Sequence, residues 1–215
     1  GEPDFNTPIH IQEGAKQAID DGKYFSYAPV NGYLDLRKAI SEKFKTENNL
    51  NYSTDQIVVS NGAKQALANL FLALLDPGDE VIIYTPYWVS YSALVELAEG
   101  ECTFIKGDIK DDFKADAAQL REAISNKTKA VIFSSPCNPT GSVFTKDDFK
   151  AMAEVLSVYP EIIVIADEIY ELINFAGAHV SFGSLPGMQE RTVTVNGFAK
   201  GFAMTGWRVG YIGAP

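Results

Sequence analysis

The sequence predicts an α/β fold with three layers, α/β/α, in which helices cover a mostly parallel central sheet. Three short runs are continuously apolar, without the polar alternation of a half-exposed strand: Val81–Tyr84, Ala130–Phe133 and Ile162–Ala166. Such runs are typical of parallel strands that are covered on both faces. The segments between them carry apolar residues three or four positions apart, which is typical of amphipathic helices. This alternation favours an open α/β sheet.

The elements are expected in two units. Residues 1–50 form an N-terminal unit of two helices, Pro8–Asp21 and Tyr33–Glu47, joined by an aromatic loop at 24–27. Thr7 suits the cap of the first helix, and Gly22 suits its end. Residues 51–215 form the larger unit that contains the sheet. Its covering helices are expected at Ala63–Leu75, Trp88–Glu99, Asp116–Ile124 and Thr145–Val158.

The composition indicates a globular protein and argues against a nucleic-acid or membrane partner. The 215 residues are 46% hydrophobic, which is enough for a buried core. The chain has 18 Lys and Arg residues and 28 Asp and Glu residues, which gives a net charge of −10. Any bound phosphate must therefore be held by local geometry rather than by a basic surface. The longest apolar stretches are far shorter than the roughly 18 residues of a membrane span, and we expect a soluble protein.

The cysteines and the chain ends bear on cellular location. Cys102 and Cys137 cannot form the dense disulfide network of small secreted domains. No basic or apolar leader is visible at the start. We therefore expect free thiols and a cytoplasmic location. The chain begins at Gly1 without Met and stops at Pro215 just after a strand-like apolar run, so we expect both ends to have been cut from a longer chain.

A strand-to-helix turn is the first candidate binding site. Gly62, Ala63 and Lys64 stand where a helix begins, and the free N–H groups of a helix start attract anions such as phosphate. The spacings of the P-loop and of the dinucleotide fingerprint are absent. An ordinary turn is therefore the alternative.

Two polar residues follow neighbouring buried strands. Asp167 comes directly after Ile162–Ala166, and Asn138 follows Ala130–Phe133. The carboxyl ends of parallel strands share one edge of the sheet, where α/β proteins bind ligands. Burying a carboxylate without a partner is costly, so we expect a cationic group near Asp167. A capping role or a structural salt bridge is the alternative.

The segment 195–211 contains a single lysine, Lys200, among small and apolar residues. Desolvation lowers the pKa of a lysine and frees its amine to attack a carbonyl, which forms a Schiff base. Arg208 follows in the same segment and can donate two hydrogen bonds to a phosphate. A solvated surface lysine is the alternative. His10 and His179 lack ligand spacing, and no metal site is expected.

Together these segments resemble the large domain of pyridoxal-phosphate-dependent aminotransferases of fold type I, class I/II. The form Ala-Lys-x-Phe-Ala-Met-Thr-Gly-Trp-Arg around Lys200 is most similar to that of bacterial aspartate aminotransferases. The motifs that carry the resemblance occur in order along the whole chain, at residues 1–5, 27–32, 61–67, 86–91, 138–141, 167–170 and 196–210.

The resemblance implies a role for each residue that faces the cofactor ring. Lys200 would bind pyridoxal 5′-phosphate as a Schiff base and then carry the proton between the substrate α carbon and C4′ of the cofactor. Asp167 would keep the pyridine nitrogen protonated, which makes the ring an electron sink. Tyr170 and Asn138 would hydrogen-bond the phenolic oxygen of the ring, and Trp88 would stack on its face.

The resemblance also implies the phosphate and substrate contacts. The phosphate would be held by Gly62, Ala63, Lys64 and Arg208, with the Tyr27 hydroxyl reaching it from the neighbouring subunit of a homodimer. The backbone N–H of Gly1, with Trp88 and Asn138, would contact the substrate carboxylate.

The implied reaction is transamination between an amino acid, L-aspartate, and a 2-oxo acid, 2-oxoglutarate. Three alternatives stay open: an aromatic or broad-range aminotransferase, an eliminating lyase that uses the same Lys200 and Asp167, and a non-catalytic sensor. Many relatives have serine where this chain has Gly197, so one phosphate contact is expected to be lost. The family's small C-terminal domain, with the arginine that pairs with the substrate, would follow Pro215. We expect this segment alone to be inactive.

Overall fold

A computed structural model describes all 215 residues as seven strands and six α-helices, joined by loops and short 3-10 turns. The helices are α1 Ile9–Asp20, α2 Leu34–Glu47, α3 Ala63–Leu74, α4 Ser90–Leu97, α5 Ala117–Ala123 and α6 Lys146–Leu156. The strands are β1 Ile57–Ser60, β2 Glu80–Thr85, β3 Glu101–Lys106, β4 Thr128–Ser134, β5 Ile163–Asp167, β6 Thr192–Gly197 and β7 Gly210–Gly213.

All seven strands lie in one sheet, in the order β1-β7-β6-β5-β4-β2-β3. The pairs β2–β3, β2–β4, β4–β5 and β5–β6 are parallel. Only β7 is antiparallel to its neighbours, β1 and β6. The sheet is therefore mostly parallel, as the sequence predicts.

The three layers follow from the alternation of side chains along the central strands. On β4, Val131 and Phe133 pack in one apolar cluster with α5 and α6, whereas Ala130 and Ile132 pack in another with α3 and α4. Successive residues of a strand point to opposite faces, so a strand that is apolar at every position must be covered on both sides. The predicted α/β/α arrangement is confirmed.

Four strands, β1, β3, β6 and β7, lie outside the three predicted apolar runs. β3 is at the edge of the sheet and is partly exposed. β6 is buried at every position although it carries Thr192, Thr194 and Asn196. Its threonines have internal partners: the Tyr52 hydroxyl donates to the Thr192 carbonyl at 3.0 Å and lies 3.3 Å from Thr194 Oγ1. Because such a partner is distant in sequence, the threonines of β6 give it the sequence pattern of a half-exposed strand. Asn196 Nδ2 is buried without a partner.

The N-terminal helices differ in how firmly they pack. α2 buries Ile40 and Phe44 against β1 and β7, whereas α1 buries no residue. The predicted cap of α1 is wrong. The Thr7 hydroxyl donates to the Ala203 carbonyl at 2.6 Å instead of capping the helix, and the N-cap position is Pro8. Gly22 does follow the helix end, with a positive φ of 65°.

α3 begins at the predicted residue, and the other helix starts shift by one or two residues, as expected where a capping residue is not itself helical. The side chains of Asp116 and Thr145 accept hydrogen bonds from the third residue of α5 and α6 respectively, so each helix begins one residue later than predicted. α4 begins at Ser90, which leaves Trp88 in the preceding loop. None of the helices has both the length and the apolar character that a membrane crossing requires.

Candidate active site

A cavity of about 230 Å³ lies at the carboxyl ends of β4, β5 and β6. It gathers segments that are far apart in sequence because parallel strands end at the same edge of the sheet. All but two of the predicted site residues line it. These are Gly1, Ala63, Lys64, Trp88, Asn138, Asp167, Tyr170, Lys200 and Arg208.

Lys200 lies in the loop after β6 and is half-buried. Its Nζ donates a hydrogen bond to the Gly1 carbonyl and lies 5.6 Å from the centroid of the Tyr170 ring. Burial lowers the pKa of Lys200; Glu2 opposes the shift, and the positive charge of Arg208 adds to it. More of the amine is therefore neutral, and so nucleophilic, at a given pH than for a surface lysine.

Asp167 is the last residue of β5 and is only 4% exposed. Its Oδ2 accepts a hydrogen bond from the Tyr91 hydroxyl at 2.6 Å, and its Oδ1 accepts one from the Ile169 N–H at 3.2 Å. Burial raises the pKa of Asp167 to about 6, while these two hydrogen bonds act to lower it.

The predicted cationic partner of Asp167 is not a side chain of this chain. No Lys, Arg or His lies within salt-bridge distance of its carboxylate, and Lys200 acts on it only at longer range. A buried carboxylate on a cavity wall without a protein cation fits a cationic group of a ligand, such as a protonated pyridine nitrogen.

Asn138 and Tyr170 meet on one side of the cavity. Asn138 Nδ2 donates to the Tyr170 hydroxyl at 3.5 Å, at the limit of a hydrogen bond. Burial, followed by the nearby charge of Asp167, raises the pKa of Tyr170. Tyr170 therefore keeps its proton at neutral pH and can donate it to a ligand oxygen.

The start of α3 and the Arg208 side chain form a cradle for an anion. The first N–H groups of a helix have no partner within the helix, and the first two residues of α3, Ala63 and Lys64, line the cavity. Arg208 Nη1 donates to the Thr205 carbonyl at 2.8 Å. Glycine permits the close approach: a Cβ on Gly62 would lie 2.1 Å from Arg208 Nη2, and one on Gly210 would lie 2.3 Å from the Ala63 nitrogen.

Trp88 supplies a flat aromatic wall. It is half-buried in the loop before α4, its ring packs edge-on against Tyr91, and Lys64 Nζ lies 5.0 Å from its centroid. An indole in this position can stack on a planar ligand.

Gly62 and Tyr27 are the two predicted residues that do not line the cavity. Gly62 acts on it indirectly by making room for Arg208. Tyr27 lies outside the cavity and is fully exposed, so its predicted role on a neighbouring subunit stays a prediction. Gly1 does line the cavity, and its carbonyl accepts a hydrogen bond from Lys200 Nζ. The predicted contact of its N–H with the substrate carboxylate stays a prediction.

The structure explains the glycine at position 197. A Cβ there would lie 2.9 Å from the Val209 carbonyl oxygen and 3.2 Å from Ile169 Cδ1. A serine in this backbone would need those neighbours to move. The close packing at this strand end therefore accounts for the glycine, and with it for the missing hydroxyl contact.

The cavity also contains residues without a predicted role, above all Tyr91. Its ring is buried and its hydroxyl is bonded to Asp167. Tyr91 stands three residues after Trp88, a spacing that would place both residues on one face of the helix predicted at Trp88–Glu99. That spacing is the signal that could have drawn attention to it.

The comparisons with known proteins agree with this geometry. The sequence pattern of the family "Aminotransferase class I and II" matches residues 1–215. A bifunctional aspartate aminotransferase and glutamate/aspartate-prephenate aminotransferase of Petunia hybrida is 50% identical over 216 residues, which is 100% of this chain and 45% of that protein.

Solved structures give the same result. An aspartate aminotransferase from Thermus thermophilus with maleate is 46% identical, with a TM-score of 0.96 over 100% of this chain and 55% of that one. An aromatic aminotransferase from Pyrococcus horikoshii is 46% identical, with a TM-score of 0.95 over 100% of this chain and 58% of that one. The chain spans about half the length of the curated relatives it matches. It belongs to the class I and II aminotransferase family.

Proposed function

We propose that the full-length protein transfers an amino group between L-aspartate and 2-oxoglutarate with pyridoxal 5′-phosphate as cofactor. The observation that carries the proposal is the pairing of a half-buried Lys200 with a buried Asp167 that lacks a protein cation, in one cavity with an anion cradle. When bound, the cofactor supplies an electron sink for charge that develops on the substrate α carbon.

Each residue has a task that its surroundings support. Lys200 Nζ binds the cofactor covalently and later moves a proton at the substrate α carbon, because its lowered pKa makes the neutral amine accessible. Asp167 pairs with the ring nitrogen and gains the cation that its burial requires. Tyr170 and Asn138 orient the ring through its oxygen.

The remaining contacts hold the phosphate group and cover the ring face of the cofactor. The start of α3 and Arg208 hold the phosphate through N–H donors and positive charge. Trp88 covers the ring face and excludes water from it. Because the net charge of the chain is −10, we assign phosphate binding to this local cradle rather than to a basic surface.

The reaction itself is tested by measuring keto acid formation from aspartate with the full-length protein, with and without 2-oxoglutarate. Without the acceptor we expect at most one equivalent of product per cofactor, because the cofactor itself can take up one amino group; continued turnover should need 2-oxoglutarate and give an equal amount of glutamate. Continued product formation without an acceptor would contradict transamination and would indicate an eliminating lyase.

An aromatic amino donor is the second candidate. The similarity to an aromatic aminotransferase, 46% identical, supports it as strongly as that to the Thermus thermophilus aspartate aminotransferase, also 46% identical. Values of kcat/KM for aspartate, phenylalanine and tyrosine separate the two. We expect the highest value for aspartate, and a higher value for either aromatic donor would reverse the assignment.

We also propose a homodimer built on the exposed apolar surface of the N-terminal unit, with a second copy of the chain as its occupant. Ile9, Phe25, Tyr27 and Val30 are all strongly exposed, and large exposed apolar patches mark protein interfaces. Sedimentation of the full-length protein should give a dimer, and Phe25→Asp should weaken it. A monomeric wild type would refute this interface.

A cytoplasmic location completes the proposal. The two cysteines are free thiols, which suits a reducing compartment. Cell fractionation should find the protein in the soluble fraction of the cytoplasm, and its presence in a membrane or secreted fraction would contradict this.

A further inference from the structure

Tyr91 is a buried tyrosine on α4 whose hydroxyl is aimed at the carboxylate of Asp167. The O–H donates to Asp167 Oδ2 at 2.6 Å, and the residue is 1% exposed. The other carboxylate oxygen accepts from the Ile169 N–H at 3.2 Å. Each oxygen of Asp167 therefore has one donor, one from a side chain of α4 and one from the backbone that follows β5.

The Tyr91 ring has little freedom to turn away. Trp88 packs edge-on against it with ring centroids 5.7 Å apart, and Tyr87 stacks on it at 6.3 Å. The ring belongs to the apolar cluster between α3, α4 and the sheet. A tyrosine hydroxyl in such a place loses free energy unless it is hydrogen-bonded, so Tyr91 and Asp167 hold each other in one arrangement.

We propose that Tyr91 is a positioning residue that fixes the rotamer of Asp167 and stabilises its ionised form, so that Asp167 meets the cofactor ring nitrogen in a single orientation. This inference rests on the proposed function. Tyr91 acts through Asp167 and need not touch the reacting atoms.

The charges around Asp167 show why its ionised form needs a hydrogen-bond donor. Burial raises the pKa of Asp167, and the neighbouring carboxylate of Glu168 adds to the rise; the hydroxyl of Tyr91, the Ile169 N–H and the positive charge of Lys200 act against it. Tyr170 also faces Asp167, while Ser134 of β4 and Cys137 face Tyr91. Because a donor stabilises the ionised form, its removal raises the pKa of the carboxyl group.

The test compares Tyr91→Phe with Tyr87→Phe in the full-length protein. The control makes the same chemical change four residues away, where the Tyr87 hydroxyl donates to Ser92 Oγ at 3.1 Å. The measurement is the Kd of pyridoxal phosphate as a function of pH. For Tyr91→Phe we expect binding about tenfold weaker at neutral pH, and the acid-side loss of affinity should move to higher pH. Tyr87→Phe should bind like the wild type.

A double-mutant cycle with Asp167→Asn shows whether Tyr91 works through Asp167. If it does, Tyr91→Phe changes the Kd by less than about twofold in the Asp167→Asn background. The same loss in both backgrounds would overturn the inference, and so would a Tyr91→Phe profile identical to that of Tyr87→Phe.

A second replacement covers the case in which Tyr91→Phe does not fold. 3-Fluorotyrosine introduced at position 91 keeps the ring and strengthens the O–H donor. The acid-side loss of affinity should then move to lower pH, and an unchanged or opposite shift would refute the role. A wild type that does not bind pyridoxal phosphate would instead overturn the proposed function, and this inference with it.

Discussion

The ionisable residues of the cavity owe their properties to burial and to one another. Lys200 has a lowered pKa and Asp167 a raised one, because both are desolvated. Nearby charges then modify the effect of burial, and Glu2 is the strongest charged neighbour of Lys200. Lys200 could be predicted because its apolar surroundings are local in sequence. The bond between Tyr91 and Asp167 spans 76 positions and could not.

Replacing Glu2 should make Lys200 more reactive. The Glu2 carboxylate raises the pKa of Lys200, so Glu2→Gln lowers that pKa further and increases the fraction of neutral amine at neutral pH. The measurement is the pH dependence of the reaction of Lys200 with pyridoxal, which lacks the phosphate. The profile should move to lower pH. A shift to higher pH would show that Glu2 does not act on Lys200 in this way.

Gly62→Ala should damage phosphate binding more than stability. The added Cβ would push the Arg208 guanidinium out of the cradle, since the two would lie 2.1 Å apart. Gly78→Ala is the matched control, because Gly78 also has a positive φ but open space around it. Both variants should lose about 1 kcal/mol of stability from the backbone conformation.

The measurement for this pair is the Kd of pyridoxal phosphate beside urea unfolding. Only Gly62→Ala should weaken binding, by about tenfold or more, which is the loss of a charge-assisted contact. Equal affinities for the two variants would contradict the cradle.

At the scale of elements, a buried polar network joins α2 to the loop that follows β5. Glu171 contacts Lys43 and accepts from Asn48 Nδ2 at 2.7 Å. Asn48 also donates to Ser181 Oγ at 2.8 Å, and Ser181 in turn donates to Glu168 Oε2 at 2.6 Å. Glu168 directly follows Asp167 in the chain, so this network anchors the strand end through residues that do not line the cavity.

His179 completes this network and should give it a pH-dependent stability. Its Nε2 lies 3.0 Å from Glu168 Oε2, and it is 12% exposed. Burial alone would lower the pKa of His179, but the hydrogen bond and charge of Glu168 outweigh it, so the pKa is raised. The contribution is therefore fully present below the unfolded pKa of about 6.5 and is lost as the pH rises through the folded value.

The measurement is the free energy of unfolding of wild type and His179→Gln by urea at several pH values. We expect the wild type to be more stable by about 1–2 kcal/mol in mildly acidic solution, with the difference shrinking toward alkaline pH. His10→Gln is the control, since His10 is exposed on α1. A difference that grows with pH would contradict the assignment.

Helices and strands differ in how far the sequence could predict them. The apolar runs of β2, β4 and β5 are visible in the sequence, and each predicted helix is present with shifts of at most two residues at its ends. β6 could not be recognised from its threonines, because the hydroxyl that pairs with them belongs to Tyr52. The start of α4 depends on the cavity, where Trp88 lines the wall instead of joining the helix.

For the molecule as a whole, the mostly parallel sheet explains why one edge carries the chemistry. Asn138, Asp167 and Lys200 follow the adjacent strands β4, β5 and β6, and the start of α3 comes in from β1. The convergence of these segments could be predicted from the topology of α/β folds. The chain spans about half the length of its curated relatives, so the substrates proposed above are those of the full-length protein.

Covalent binding of pyridoxal phosphate by Lys200 is tested by the visible absorbance of the full-length protein after incubation with the cofactor. The wild type should develop a visible band, and borohydride reduction should fix the cofactor on the peptide that contains Lys200. Lys150→Ala, on the exposed surface of α6, should behave like the wild type, and Lys200→Ala should show no covalent band. A colourless wild type, or a Lys200→Ala variant with the same band and the same labelled peptide, would contradict the account.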